Sequence, residues 1–222
     1  METCATKSDF AYALVRTKIL TSEYAPGTVL NQATLARDLG ISTTPLREAL
    51  RRLKSEGFVE LDAHRDARVT DLSAEEARDL LEMRRALDPL ATSLAAERRS
   101  KSDIATMRAA FAQLRPLPDR PDTADLVAHR EFHRAIYTAS HNDLLITTLD
   151  GLWDKADRYR IVGLRQKRDQ PERDETAAEH RAMLEAVIAG DSELAAKVMR
   201  EHIRSSLGSK ALSTLADSSA DD

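Results

Sequence analysis

Residues 25–60 read APGTVLNQATLARDLGISTTPLREALRRLKSEGFVE, and the order of stops and apolar stripes in this stretch decides the fold of the first third of the chain. Pro26-Gly27 marks a turn. Asn31 to Leu39 is short and amphipathic and reads as a helix ended by Gly40, since a helix C-terminus favours a residue that accepts φ > 0. Ser42-Thr43-Thr44-Pro45 opens the next helix, because hydroxyls satisfy free backbone N–H groups there and Pro is tolerated in a first turn. That helix runs to about Glu56 and Gly57 stops it. Upstream, Ala11, Leu14, Val15, Ile19 and Leu20 form one helical stripe within residues 8–23. Downstream, Phe58–Leu61 and Ala67–Thr70 are β-prone runs separated by the polar Asp62 to Asp66, which predicts a hairpin. Three helices followed by a hairpin is the order of a winged helix-turn-helix.

The third helix carries two stripes. Leu46, Ala49, Leu50 and Leu53 bury one side; Arg47, Arg51 and Lys54 lie about 100° away. A charged stripe is ordinarily a solvated face. Here it adjoins a helix N-terminus whose free N–H groups suit a phosphate. Arginine forks match guanine O6 and N7 in the major groove, whereas lysine offers a point charge.

The same stretch resembles the DNA-binding domain of the GntR family of bacterial transcription regulators. The matching elements are Pro26-Gly27, Leu35-Ala36, Leu39-Gly40, Ser42, Thr44-Pro45, Arg47-Glu48-Ala49-Leu50, Leu53 and Gly57. The resemblance implies that Ser42, Thr43, Thr44 and Arg47 contact DNA, with Arg51 and the wing residue Arg65 in support. The family usually has Arg after the serine, where Thr43 stands, which implies a different operator half-site. It usually has Gly near the wing tip, where Asp66 stands; Asp tolerates left-handed φ and keeps a turn possible there.

Composition agrees with a mainly helical protein. Of 222 residues, 42% are hydrophobic, 32% charged and 4% aromatic, with 7 Gly and 7 Pro. That is few turn residues for a β-sandwich or barrel. Cys4 is the one cysteine, which excludes an internal disulfide framework and a cysteine-rich zinc module. No apolar run approaches the ~18 residues of a membrane span, and METCATKSDF lacks the apolar core of a signal peptide. A cytoplasmic protein without membrane contact is expected. The net charge is −4, yet residues 1–70 carry 10 Lys and Arg against 9 Asp and Glu, while the remainder carries 23 against 28. A polyanionic partner therefore docks on the first third.

Ser73-Ala74-Glu75-Glu76 has the capping-box spacing, and a long helix to about Arg99 follows, so the domain boundary falls near 71–73. We expect a winged helix-turn-helix over 8–70, an all-α antiparallel helical bundle over 71–208 and a disordered tail over 209–222. Helices beyond residue 100 are separated by Pro116–Pro121, Asn142, the polar Arg165–Glu175 stretch and Gly190-Asp191.

His129 and His133 are four apart and share a helix face with Leu126 and Ile136; two imidazoles one turn apart suit a metal ion. His180 precedes Gly190 by 10 residues and His202 follows it by 12. At ~1.5 Å per residue both sit roughly 15–18 Å from the turn, at matching heights on an antiparallel pair. An isolated histidine on an apolar face is usually a hydrogen-bonded core residue; two pairs at matching heights allow four to converge.

The second half resembles the all-helical effector-binding FCD domain of the FadR subfamily. The carrying residues are Glu82-Met83-Arg84-Arg85-Ala86-Leu87-Asp88, Phe132-His133, Asn142, Glu179-His180, Ala186, Ile188, Gly190-Asp191, Ala195 and His202. Metal-binding members use an Asp-x-x-x-His pair and two later histidines, which implies His129, His133, His180 and His202 as ligands, with His129 where the family usually has Asp. An all-imidazole set favours Zn²⁺ or Ni²⁺. The resemblance also implies that the ion holds the carboxylate of a small effector, with Arg84 nearby, and that the protein is a homodimer on a near-palindromic operator.

Enzyme readings fare poorly. A metalloprotease helix needs Glu directly after its first His, and here Glu131 comes two residues after His129. Deaminase chemistry needs a cysteine pair, and no flanking glycines make Ser42 a nucleophile elbow. No phosphate-binding loop or dinucleotide fingerprint occurs. The expectation is a non-enzymatic, ligand-responsive transcription regulator, read as a repressor. A metal-dependent hydrolase and a protein-binding winged-helix scaffold are the alternatives.

Overall fold

Helix α1 (Lys7–Leu20) starts on a reciprocal cap, Thr6 accepting from the Asp9 amide while Asp9 accepts from the Thr6 amide. Its Ala11, Val15 and Ile19, spaced one turn apart, are buried. The computed structural model describes residues 6–62, 66–118, 123–164 and 169–218, and the chain divides into two compact units, Met1–Ser73 and Ala74–Asp222.

In the first unit, α2 (Gln32–Asp38) and α3 (Thr43–Ser55) follow α1. Gly40 turns the chain between them at φ +63, a conformation that side chains with a Cβ rarely adopt. Leu46, Ala49, Leu50 and Leu53 of α3 are fully buried against α1, Phe58, Val59 and Val69. A leucine buried this way contributes about 1.5–3 kcal/mol. Polar contacts flank this packing: the Tyr12 hydroxyl donates to Glu56, just past the end of α3, at 2.7 Å, and the Arg52 guanidinium lies 3.7 Å from the Tyr12 ring centre.

The hairpin strands are β2 (Val59–Leu61) and β3 (Asp66–Val69). They belong to a three-stranded antiparallel sheet, order β1-β3-β2, because β1 (Val29–Asn31) pairs with β3 with Leu30 opposite Ala67. Three residues are too short to display period-two alternation, so β1 leaves no sequence signal. Asp66 differs from its expected turn role. It is a strand residue opposite Asn31, whose side-chain amide donates to the Asp66 carboxylate at 2.9 Å. Its charge is thereby tied down inside the sheet.

The second unit contains α4 (Ala74–Arg98), α5 (Lys101–Ala112), α6 (Thr123–Thr138), α7 (Asp143–Leu164), α8 (Gln170–Ala189), α9 (Ser192–Ser205) and α10 (Leu207–Ser218). Helix α4 touches α6, α7, α8, α9 and α10 and forms the hub of the bundle. Two expected boundaries are corrected. The polar stretch 165–175 is not all connector: Asp169 accepts from the Glu172 amide and Pro171 sits in the first turn, so α8 begins at Gln170. Residues 209–218 are not a disordered tail but part of α10, which packs along α7 and α4 with Ala211 buried and Leu212 against the core; the rest of the expected tail, 219–222, lies outside the described residues. Its serines and small residues hide a narrow apolar stripe.

Gly190 joins α8 to α9 at φ +83, and a Cβ there would lie 2.6 Å from Arg99 Nη2. Arg99 occupies that space to donate to the Ile188 carbonyl at 3.1 Å and the Ala96 carbonyl at 2.5 Å, closing two helix ends. Gly190→Ala is expected to cost about 1–2 kcal/mol in backbone strain alone, a melting-temperature drop of roughly 2–8 °C for a chain of this size. An unchanged thermal melt would show that the turn tolerates a side chain.

Candidate functional site

Helix α6 carries His129 and His133 one turn apart on its inward face, beside the fully buried Phe132 and Ile136. Helices α8 and α9 run antiparallel from Gly190 and bring His180 and His202 to the same depth. All four imidazoles are buried, and one ring nitrogen of each lies within 4.8 Å of the others. His133 Nε2 is 3.2 Å from His180 Nε2. The His133 and His202 rings stack with centres 5.0 Å apart, and His180 and His202 are 4.6 Å apart. Asp125, one turn before His129, points elsewhere and pairs with Arg115 at 3.3 Å.

The surroundings favour the neutral form of three of these rings. Burial pushes His129, His133 and His180 well below the ordinary imidazole range, and nearby positive charge adds to it, chiefly Arg160 at His129 and His202 at both His133 and His180. A neutral imidazole presents one lone pair, the form that ligates a metal. Glu179 Oε2 sits 2.8 Å from His202 Nδ1 and also accepts from Ser205 Oγ at 3.2 Å. A carboxylate on Nδ1 fixes the proton there and leaves Nε2 free, the usual outer support of a metal-bound histidine. Nδ1 of His129 and of His133 are buried without a hydrogen-bond partner. His133 and His180 can share one N–H···N bond, but with the His202 proton held on Nδ1 by Glu179 its Nε2 lone pair still faces the other rings unbonded. A divalent cation among them resolves this, and the all-nitrogen donor set suits borderline ions such as Zn²⁺ or Ni²⁺.

Three of the four histidines, His129, His180 and His202, open onto a cavity of about 300 Å³ whose wall includes Arg84, Trp153 and Arg160. His133 lies behind them, next to a void of about 10 Å³ bordered by Asp88 and Thr92. Arg84 is buried, donates from Nε and Nη2 to Asp88 Oδ2 at 2.9 and 2.6 Å, and lies 4.1 Å from the Trp153 ring centre. Arg160 is 3% exposed and donates from Nη1 to Asp157 Oδ1 at 2.8 Å. Sequence reading missed Trp153, Arg160 and the bond from Glu179. A faint signal existed: Trp153 and Arg160 are seven apart, two turns along one face of α7.

In the first unit, Ser42, Thr43, Thr44, Arg47 and Arg51 are all exposed on α3, opposite its buried leucines. Ser42 is the cap residue by backbone geometry, yet its side chain makes no capping bond. The expected hydroxyl cap is corrected, which leaves the first-turn hydroxyl and N–H groups open to an anion. Arg47 Nε donates to Gln32 Oε1 at 3.2 Å, and Gln32 is a buried side chain of α2. This bond between the two helices orients the guanidinium. Arg65 lies outside the described residues; its neighbour Arg68 on β3 donates to the Gly27 carbonyl at 2.9 Å.

A winged helix with exposed arginines on its third helix, followed by a helical unit with a histidine-lined cavity, is the architecture of a DNA-binding regulator, and comparison with known proteins agrees. Residues 7–69 match the bacterial regulatory proteins of the gntR family, and residues 79–205 match the FCD domain. The chain is 26% identical over 198 residues to the HTH-type transcriptional repressor GlaR of Escherichia coli (strain K12), covering 86% of this chain and 90% of that protein. It is 28% identical over 178 residues to the probable D-xylose utilization operon transcriptional repressor of Paenarthrobacter nicotinovorans, covering 80% and 76%. The E. coli McbR/YncC structure shares the fold, with a TM-score of 0.78, 21% identity and coverage of 96% of this chain and 99% of that one.

The class is therefore that of transcription regulators rather than enzymes. The protein belongs to the GntR family and carries a C-terminal FCD domain. Among the described residues no helix is long and apolar enough to cross a membrane.

Proposed function

We propose that the protein is an effector-responsive repressor whose FCD domain holds a divalent metal ion, zinc or nickel, on His129, His133, His180 and His202. The observation that carries this reading is the convergence of four buried ring nitrogens within 4.8 Å, three of the rings lining a cavity of about 300 Å³. When bound, the ion supplies a Lewis-acidic position for the carboxylate of a small organic acid. The protein's own residues do the rest. Glu179 holds His202 in one tautomer, Arg84 contributes positive charge beside the ion, and Trp153 walls the cavity against water.

On the DNA side, Ser42, Thr43, Thr44 and Arg47 face the operator, with Arg51 and Arg65 in support. One winged helix makes few base contacts, so a homodimer on a near-palindromic site supplies the specificity. The acid acts by binding one arrangement of the dimer more tightly than the other. The direction, repression, is supported by relatives named as repressors. A cytoplasmic location goes with operator DNA as the partner.

Elemental analysis of the purified full chain, combined with a thermal-shift screen of small carboxylates, tests the reading. About one zinc or nickel per chain is expected, with at least one acid raising the melting temperature and a chelator removing that rise. Metal-free protein that still responds to acids would overturn the metal's role.

A further inference from the structure

The least satisfied group in the cavity wall is Arg160. Its guanidinium is buried, and only Nη1 has a partner, Asp157. Nε and Nη2, the two donors along one edge, have none. That edge matches a carboxylate; on the same wall Arg84 places its own Nε and Nη2 on a single oxygen of Asp88. Arg84 is thus committed to a protein carboxylate, while the equivalent edge of Arg160 is buried and unbonded.

The protein bonds Arg160 at one end only. Asp157 accepts from Arg160 Nη1 and also from Arg130 Nη1, both at 2.8 Å, while Asp154 pairs with Arg130 at 2.6 Å, so the acids of this cluster leave the far edge of Arg160 untouched. Burial pulls the Arg160 pKa below the ordinary arginine value, and the charges on Arg84 and Arg130 act in the same direction. Arginine keeps its proton in proteins, so Arg160 stays charged with two of its donors unbonded. Trp153 adds a second unused donor, since its buried Nε1 has no partner. The same indole spans from Arg160, 5.8 Å from its ring centre, to the His133 ring at 5.0 Å and the His129 ring at 6.1 Å. Two places for a carboxylate therefore lie on the wall of one cavity, one at the histidine centre and one at Arg160.

We propose that the effector is a dicarboxylate, with one carboxylate at the histidine centre and the other clasped by Nε and Nη2 of Arg160. This rests on the metal-and-acid reading above and extends it to the ligand's second end. A single-ended acid leaves the Arg160 edge without an acceptor. A two-ended acid fills it, and the difference in affinity is the signature of the second site.

The experiment uses the zinc-loaded full chain and isothermal titration with chain-matched acids: propionate against malonate, butyrate against succinate, valerate against glutarate. At least one dicarboxylate is expected to bind tenfold or more tightly than its partner. In Arg160→Gln the preference should fall below threefold with zinc content unchanged. Equal affinities within every pair for the wild-type protein would overturn the proposal while zinc-dependent monocarboxylate binding kept the earlier reading alive. Retention of the preference by Arg160→Gln would also overturn it. Absence of binding by either class, or binding indifferent to zinc removal, would bring down the metal-and-acid reading and this proposal together. The wild-type comparison decides the matter even if the variant fails to fold.

Discussion

Arg47→Ala is expected to abolish operator-specific protection in footprinting while the protein remains folded. Arg47 stands in the second turn of α3, exposed, on the side opposite Leu46, Ala49 and Leu50. Its single hydrogen bond goes to Gln32, which fixes the direction of the guanidinium before DNA arrives. A bidentate arginine–guanine contact carries about 1–3 kcal/mol of discrimination. Two half-sites of a dimer double that to about 2–6 kcal/mol, a loss between roughly thirtyfold and more than ten-thousandfold. Stability should change by no more than about 1 kcal/mol, the usual worth of one hydrogen bond. Residual binding should become sequence-independent and strongly salt-dependent, since phosphate contacts remain. A footprint identical to the wild type would remove Arg47 from the interface. A variant that no longer melts cooperatively would instead mark the Arg47–Gln32 bond as structural.

The second large effect is expected at the histidine centre. His133→Ala combined with His180→Ala should leave less than about a tenth of the wild-type metal content by elemental analysis. The two rings come from α6 and α8, and their Nε2 atoms are 3.2 Å apart, so the pair removes half the donor set from two helices at once. A four-ligand structural zinc site binds with about 10–16 kcal/mol, or about 3 kcal/mol per ligand if shared equally. Losing two ligands then weakens binding by more than about ten-thousandfold. His141→Ala is the control. His141 is exposed and pairs with Asp103 at 2.8 Å, away from the cluster, so its loss should leave metal content unchanged. Full occupancy in the double variant would mean that the ion, if any, sits elsewhere.

Much of this architecture was legible because helices announce themselves locally. The stripes of α1 and α3, the stop at Gly40 and the αL turn at Gly190 each depend on a few neighbouring residues. The pairing of His180 with His202 was also readable, since equal distances from one turn give equal heights on antiparallel helices. The sheet was harder. Strand β1 exists only because Leu30 finds Ala67 across 37 positions of chain, and three residues carry no periodicity of their own. Asp66 misled in the same way: alone it suits a turn, whereas Asn31, brought opposite by the sheet, makes it a strand residue. Helix α10 was hidden because its serines and small residues favour helix only weakly, and burial against α7 and α4 supplies what propensity lacks.

By itself the amino-acid sequence determined the helical frame, the winged helix with its exposed basic stripe, and the four histidines as candidates. Those properties follow from spacing along a helix or across one turn, which the chain carries wherever it goes. Only the tertiary structure decided that α6, α8 and α9 press the four imidazoles into one buried cluster, that Arg84 is already held by Asp88, and that Arg160, on the wall of the same cavity, keeps two buried donors unbonded. Which donors remain unbonded depends on every neighbour that folding brings up, and no local pattern encodes that count.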